Sequence, residues 1–193
     1  MSSVVISGDT SGAVTLAAPA VAGTTTLTLQ AATATNAVNT LGTAVASTSG
    51  TSIDFTSLPS WIKRITVMFK NVSTNGSSNK QIQLGAGSVT TTGYQSSSSL
   101  IFGANSCTLA SVTTGFLIRS DVATDELSGH YVFTSFGSNS WIGSSVVADQ
   151  STSRVWQGAG RIDLGGTLDR IRITTVNGTD TFDLGSINIL YEG

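Results

Sequence analysis

Residues 1–53 carry one charged side chain, Asp9, and no aromatic ring, whereas residues 54–193 hold the other 19 of the 20 charges and all 13 aromatics. A segment built from Ala, Thr, Val, Gly, Ser and a few Leu has too little apolar volume to enclose a core and must find partners outside itself. Identical segments of neighbouring subunits are the nearest source, and interface cores are depleted in charge as this segment is. The small-polar run at 47–52 reads as a linker. The chain is therefore expected to divide into an N-terminal anchoring and oligomerisation arm with its linker, residues 1–50, and a head domain, residues 51–193.

The arm has strand patterning. Ser3-Val4-Val5-Ile6-Ser7 is a β-branched run, Ala13-Val14-Thr15-Leu16-Ala17 alternates, and 24–30 alternates Thr with Leu27 and Leu29, so three short strands are expected. Val38, Leu41 and Val45 recur at helical spacing, but Thr35, Thr40, Gly42 and Thr43 weaken a helix. The stretch 31–50 reads as a connector running along an oligomer axis.

From residue 51 onward the pattern is all-β. Candidate strands fall at 52–56, 63–70, 81–85, 106–112, 115–120, 128–136, 141–148, 161–164, 168–176 and 182–191, with turn clusters at 71–79, 96–99, 137–140 and 177–180. Asn75-Gly76 and Asn177-Gly178 are hairpin signals, because Asn-Gly favours positive φ at both central positions. In 63–70 the apolar positions are Ile65, Val67 and Phe69, and in 169–174 they are Ile171 and Ile173, which leaves Arg and Lys outward. Short strands with turn signals every 8–15 residues predict an antiparallel β-sandwich, jelly-roll-like.

Chemistry-bearing motifs are missing. There is no G-x-S-x-G, H-E-x-x-H, phosphate-binding loop or G-x-G-x-x-G, and Gly85-Ala86-Gly87 and Gly158-Ala159-Gly160 read as bends or bulges. One cysteine, Cys107, excludes an internal disulfide and a Cys-based zinc site, and one histidine, His130, excludes a multi-histidine metal site. Cys107 is expected to be a small buried residue and His130 a half-exposed strand residue. No cofactor, metal or enzymatic activity is expected. Asp149, Asp163, Asp169, Asp180 and Asp183 leave a glycoside-hydrolase pair conceivable, but most lie beside turns, where Asp is common. Three carboxylates in 121–126 have the density of a calcium site without its glycine turn, and read as a solvated loop. A net charge of −2 provides no basic footprint for nucleic acid or an anionic membrane. No apolar run approaches 18 residues, so no membrane insertion is expected. The first residues lack the basic and apolar regions of a secretory signal.

Three aromatics stand beside Ser/Asn/Gly stretches. Tyr94 precedes 95–99, Trp141 follows 137–140 and Trp156 follows 151–154. Such placement suits stacking on carbohydrate, and it equally suits plugging the ends of a sandwich. Tyr94, Trp141 and Trp156 are the candidate glycan or receptor contacts.

The opening Ile6-Ser7-Gly8-Asp9-Thr10-Ser11-Gly12-Ala13-Val14-Thr15-Leu16-Ala17-Ala18-Pro19-Ala20-Val21-Ala22-Gly23-Thr24 resembles a segment of tailed-bacteriophage virion proteins, particularly tail-fibre-like and head-fibre proteins. Ser52-Ile53-Asp54-Phe55, Leu58-Pro59-Ser60-Trp61-Ile62-Lys63-Arg64-Ile65-Thr66-Val67 and the ending Gly185-Ser186-Ile187-Asn188-Ile189-Leu190-Tyr191-Glu192 look like the β-sandwich knob that follows it. The resemblance implies a homotrimeric virion component at the particle surface. Residues 1–50 would contact other virion proteins, and the distal head would contact host cell-surface polysaccharide. At 193 residues the chain lacks a long repetitive shaft, which gives weight to a small capsid-surface fibre or a capsid decoration (cement) protein.

Overall fold

A strand that alternates apolar and polar residues can bury only one face, and two such sheets closing on each other make a sandwich. The computed structural model describes residues 3–7, 13–17, 38–103, 106–149 and 152–193, and every regular element among them is a strand. The chain divides into two compact units between Asn36 and Ala37.

In the first unit β1 (Ser3–Ser7) pairs antiparallel with β2 (Ala13–Ala17), Ser3 opposite Ala17 and Ser7 opposite Ala13. These are two of the three expected strands; the third, at 24–30, lies outside the described residues. A two-stranded hairpin is marginal by itself in water.

The second unit contains β3 (Asn39–Leu41), β4 (Val45–Ala46), β5 (Ser52–Thr56), β6 (Arg64–Thr74), β7 (Lys80–Ala86), β8 (Ser88–Val89) and β9 (Gln95–Phe102). It continues with β10 (Ser106–Val112), β11 (Phe116–Ile118), β12 (Leu127–Gly137), β13 (Ser140–Asp149), β14 (Arg154–Asp163), β15 (Arg170–Thr175) and β16 (Phe182–Glu192). A nine-stranded antiparallel sheet has the order β10-β9-β14-β13-β12-β6-β16-β3, with β4 also on β16. A five-stranded sheet has the order β11-β7-β15-β5, with β8 on β7. The expected β-sandwich is thus the architecture of the head. The expected inward residues do face the core: Ile65, Val67 and Phe69 on β6, and Ile187 and Ile189 on β16, meet Ile53, Ile82, Leu84, Ile171 and Ile173 of the smaller sheet.

The unit boundary lies ahead of the linker expected at 47–52. Residues 39–46 form neither a helix nor a free connector, because β3 and β4 pair with β16 and extend the large sheet. Val38 and Gly193 exchange two backbone hydrogen bonds (3.0 and 3.2 Å), and Ser47 is buried with its hydroxyl donating to Leu184 O.

Residues 96–99, expected as a turn, lie in the middle of β9. Ser96 and Ser98 face inward and accept hydrogen bonds from the backbone N–H groups of Leu117 (2.9 Å) and Arg119 (3.1 Å). These hydroxyls satisfy the edge of the smaller sheet at and just beyond β11, an edge that would otherwise bury orphan donors. Gly158 and Gly160 are likewise interior strand residues, neither bends nor bulges. A Cβ on Gly158 would stand 2.9 Å from Leu117 O, and one on Gly160 would stand 2.6 Å from Gln95 O. Gly158 therefore makes room for β11, and Gly160 for its sheet neighbour β9.

The two Asn-Gly dipeptides are not hairpins. Asn75-Gly76 leads from β6 in one sheet to β7 in the other, and Asn177-Gly178 leads from β15 back to β16. They brace each other: Thr181 N donates to Asn75 Oδ1 (2.9 Å), Ser78 N to Asp180 Oδ2 (2.9 Å) and Asn177 N to Ser78 Oγ (3.1 Å). The hairpin turn with two positive-φ residues is Ser138-Asn139, between β12 and β13.

Candidate functional site

The three aromatic candidates are core residues: Tyr94 is 1 %, Trp141 4 % and Trp156 0 % exposed. None can stack on a sugar. The serines beside Tyr94 belong to a strand rather than a loop, and Trp141 and Trp156 occupy inward positions of β13 and β14. Tyr94 bridges the sheets: its hydroxyl accepts from Leu84 N (2.8 Å) and lies 3.1 and 3.0 Å from Leu84 O and Thr90 O. Its ring meets Phe116 edge-on at 5.3 Å, and Phe116 meets Phe133 at 4.8 Å, with Phe133 stacked on Tyr131 at 4.7 Å. Burial pushes the Tyr94 and Tyr131 phenols up.

Each sheet leaves an outer face to solvent among the described residues. On the outer face of the large sheet, register aligns side chains into rows that cross five or more strands. One row is Leu109, Ser99, Gln157, Val146, His130 and Met68; the next is Ser111, Ser97, Ala159, Ser144, Val132 and Thr66. Neither contains Asp, Glu, Lys or Arg. A shallow depression of about 450 Å³ lies over them, lined by Leu109, His130, Val132, Val146 and Gln157 among others. His130 is exposed there, and Cys107, expected to be buried, is exposed on the marginal strand β10. An edge strand buries one side chain in two at most, and no third layer covers Cys107 among the described residues.

The outer face of the smaller sheet is polar. A groove of about 310 Å³ is lined by Gln83, Thr174, Ser52, Thr91 and Arg172. Arg172 makes a two-point contact with Asp54 (2.7 and 2.9 Å), and Gln83 Nε2 donates to Thr114 O (2.9 Å). The groove offers fixed hydrogen-bonding groups without an aromatic platform.

The carboxylates have structural occupations. Asp163 pairs with Arg161, Asp169 with Arg170, Asp180 receives Ser78 N and Asn177 Nδ2, Asp183 receives the Ser73 hydroxyl, and Asp149 receives Glu126 N and Thr152 N. Among the described residues no group of three or more His, Cys, Asp or Glu side chains is placed to hold a metal ion. The 121–126 segment is only partly solvated. Asp125 is buried, bonded to Ser120 Oγ (3.2 Å) and Arg154 Nη1 (3.2 Å), and Arg154 also reaches Asp121.

Ser120 in turn accepts from Lys80 Nζ at 2.8 Å, and Lys80 is itself buried. Sequence reasoning missed this chain of polar contacts; its only signal was a lysine at the head of an apolar strand. Burial lowers Lys80 from 10.5 to about 8, against the attraction of Asp125, and burial raises Asp125 against the attraction of Arg154 and Lys80. Between pH 8 and 10.5 the unfolded chain retains a proton that folded Lys80 has released, so stability rises with pH there by up to about 3 kcal/mol. The raised phenols of Tyr94 and Tyr131 act in the opposite direction above pH ~10. Lys80→Met is expected to flatten the rise between pH 8 and 10 in urea titrations. An equal rise in the variant would contradict the assignment.

No protein-family model matches the chain, and no curated protein or solved structure matches it at a significant level.

Proposed function

We propose that this chain is a non-enzymatic structural protein of a bacteriophage virion: a short homotrimeric fibre or capsid-decoration protein, joined to the particle by its N-terminal arm. The observation that carries the reading is the contrast between its two units. Residues 1–36 contain one charge and a hairpin of two five-residue strands that cannot bury a core. The head, by contrast, closes a large apolar core of its own. A segment that needs partners, attached to a domain that does not, is the design of an assembly arm. The phage-fibre likeness of residues 6–24 supplies the kind of particle.

Burial of Tyr94, Trp141 and Trp156 takes away the motive for glycan contact at those residues and supports decoration of the capsid over receptor binding. Antibody labelling of intact particles tests the choice. Label over the capsid surface is expected. Label confined to the tail tip would favour a host-attachment fibre, and no label on particles would overturn the virion reading.

A further inference from the structure

We infer that the uncharged outer face of the nine-stranded sheet is the surface on which a second copy of this head packs. The inference rests on the proposed self-assembly and assigns it a surface beyond the arm. Three adjacent rows of this face span β10, β9, β14, β13 and β12, and a fourth beside them spans β9 to β12. Three of them, those through Ile101, Val146 and Val132, carry no Asp, Glu, Lys or Arg on these strands. Leu109 is 77 % exposed and Val146 51 %, and Ile101 and Ile142 are exposed beside them. Monomeric proteins seldom leave such a contiguous patch to water.

The size suits a specific contact. Five strands about 4.8 Å apart, with four rows spanning some 20 Å of strand, cover roughly 500 Å², so two faces bury about 1,000 Å². That reaches the lower bound for a specific interface.

The charges around the face favour a like partner. The fourth row carries Arg161 and, on the neighbouring strand, Arg64. Arg161 is neutralised within the chain by Asp163 (2.7 Å) and Arg64 by Glu192 (3.5 Å). Across β10, β9, β14, β13 and β12 a copy of the same surface therefore meets no uncompensated like charge, the exposed Lys70 standing outside them on β6, and the uncharged centre asks for no oppositely charged protein. On the margin, β10 is a seven-residue strand without charge or proline, paired only with β9 among the described residues. Such an edge is a template for intermolecular contact.

The test is sedimentation equilibrium of the full chain and of the head unit beginning at Ala37, each carrying Val146→Arg, with Leu109→Arg as a second variant and Thr167→Arg, exposed away from this face, as control. Both face positions are exposed in the single chain, so the variants should stay folded. In the head unit, which lacks the arm, an arginine buried at the contact should weaken association at least about 100-fold, giving monomer where wild type and Thr167→Arg remain associated. Folded Val146→Arg and Leu109→Arg head units that both retain the wild-type mass would overturn the assigned face while leaving self-assembly through the arm intact. A monomeric wild-type head unit would overturn the face alone, and a monomeric full chain would overturn both.

Discussion

Trp156→Ala is expected to lower the unfolding free energy of the head by about 3–5 kcal/mol, the cost of emptying a large aromatic site in a packed core. The side chain has no exposure, and its strand neighbours in register are Leu100 and Val147, themselves core residues. Gly158, the next inward position of β14, already lets β11 approach closely, with Leu117 O 2.9 Å from where its Cβ would stand, which limits how far the site can collapse. A loss of that size is a large part of the 5–15 kcal/mol typical of a domain. Urea unfolding followed by far-ultraviolet circular dichroism measures it. A surface aromatic would behave otherwise, with stability changed by less than about 0.5 kcal/mol, and that result would return Trp156 to the list of contact residues.

Truncation should distinguish two cuts that the sequence makes look equivalent. A chain beginning at Ala37 is expected to fold with nearly the full stability of the head, since that is where the compact unit begins. A chain beginning at Thr51 loses β3, β4 and Ser47. It forfeits the two Val38–Gly193 bonds, Gly42 N to Ile189 O (2.8 Å), Ser47 N to Gly185 O (3.0 Å), the Ser47 hydroxyl bond and Phe182 N to Gly50 O (2.9 Å). Six hydrogen bonds at about 0.5–1.5 kcal/mol each amount to roughly 3 kcal/mol or more. The cut also strips one edge of β16, leaving a long strand open to aggregation. Thermal melts of the two truncated chains, with light scattering, check both effects. Equal melting temperatures would mean that residues 37–50 are a dispensable linker after all.

Much of the sandwich was legible because period-two alternation is a local signal. β10 falls where 106–112 alternates, and the inward sets of β6, β15 and β16 follow from their own residues. What was not legible depends on the opposite sheet. Ser96 and Ser98 have the composition of a turn, and only the approach of β11 gives their hydroxyls backbone N–H groups to receive. Gly158 and Gly160 look like breaks, yet Gly158 leaves the space that β11 approaches and Gly160 the space taken by Gln95 and Ser96 of β9. Asn75-Gly76 and Asn177-Gly178 were correctly turn-forming, but which sheet the next strand joins is not written in a dipeptide. Tyr94, Trp141 and Trp156 looked like surface residues because their neighbours in sequence are small and polar. Their neighbours in space are Phe116, Ile162, Leu100 and other core residues.

These differences change the weight of the functional reading. The unit that carries the proposed arm ends at Asn36, Tyr94, Trp141 and Trp156 are buried, and the uncharged sheet face becomes the surface proposed for a partner. Attachment through the arm remains the central claim. It is tested most directly by counting copies of the chain in purified particles when the only source is the form beginning at Ala37. The account predicts a folded, soluble head in the lysate and essentially none on the particles. Incorporation at the level of the full chain would contradict it.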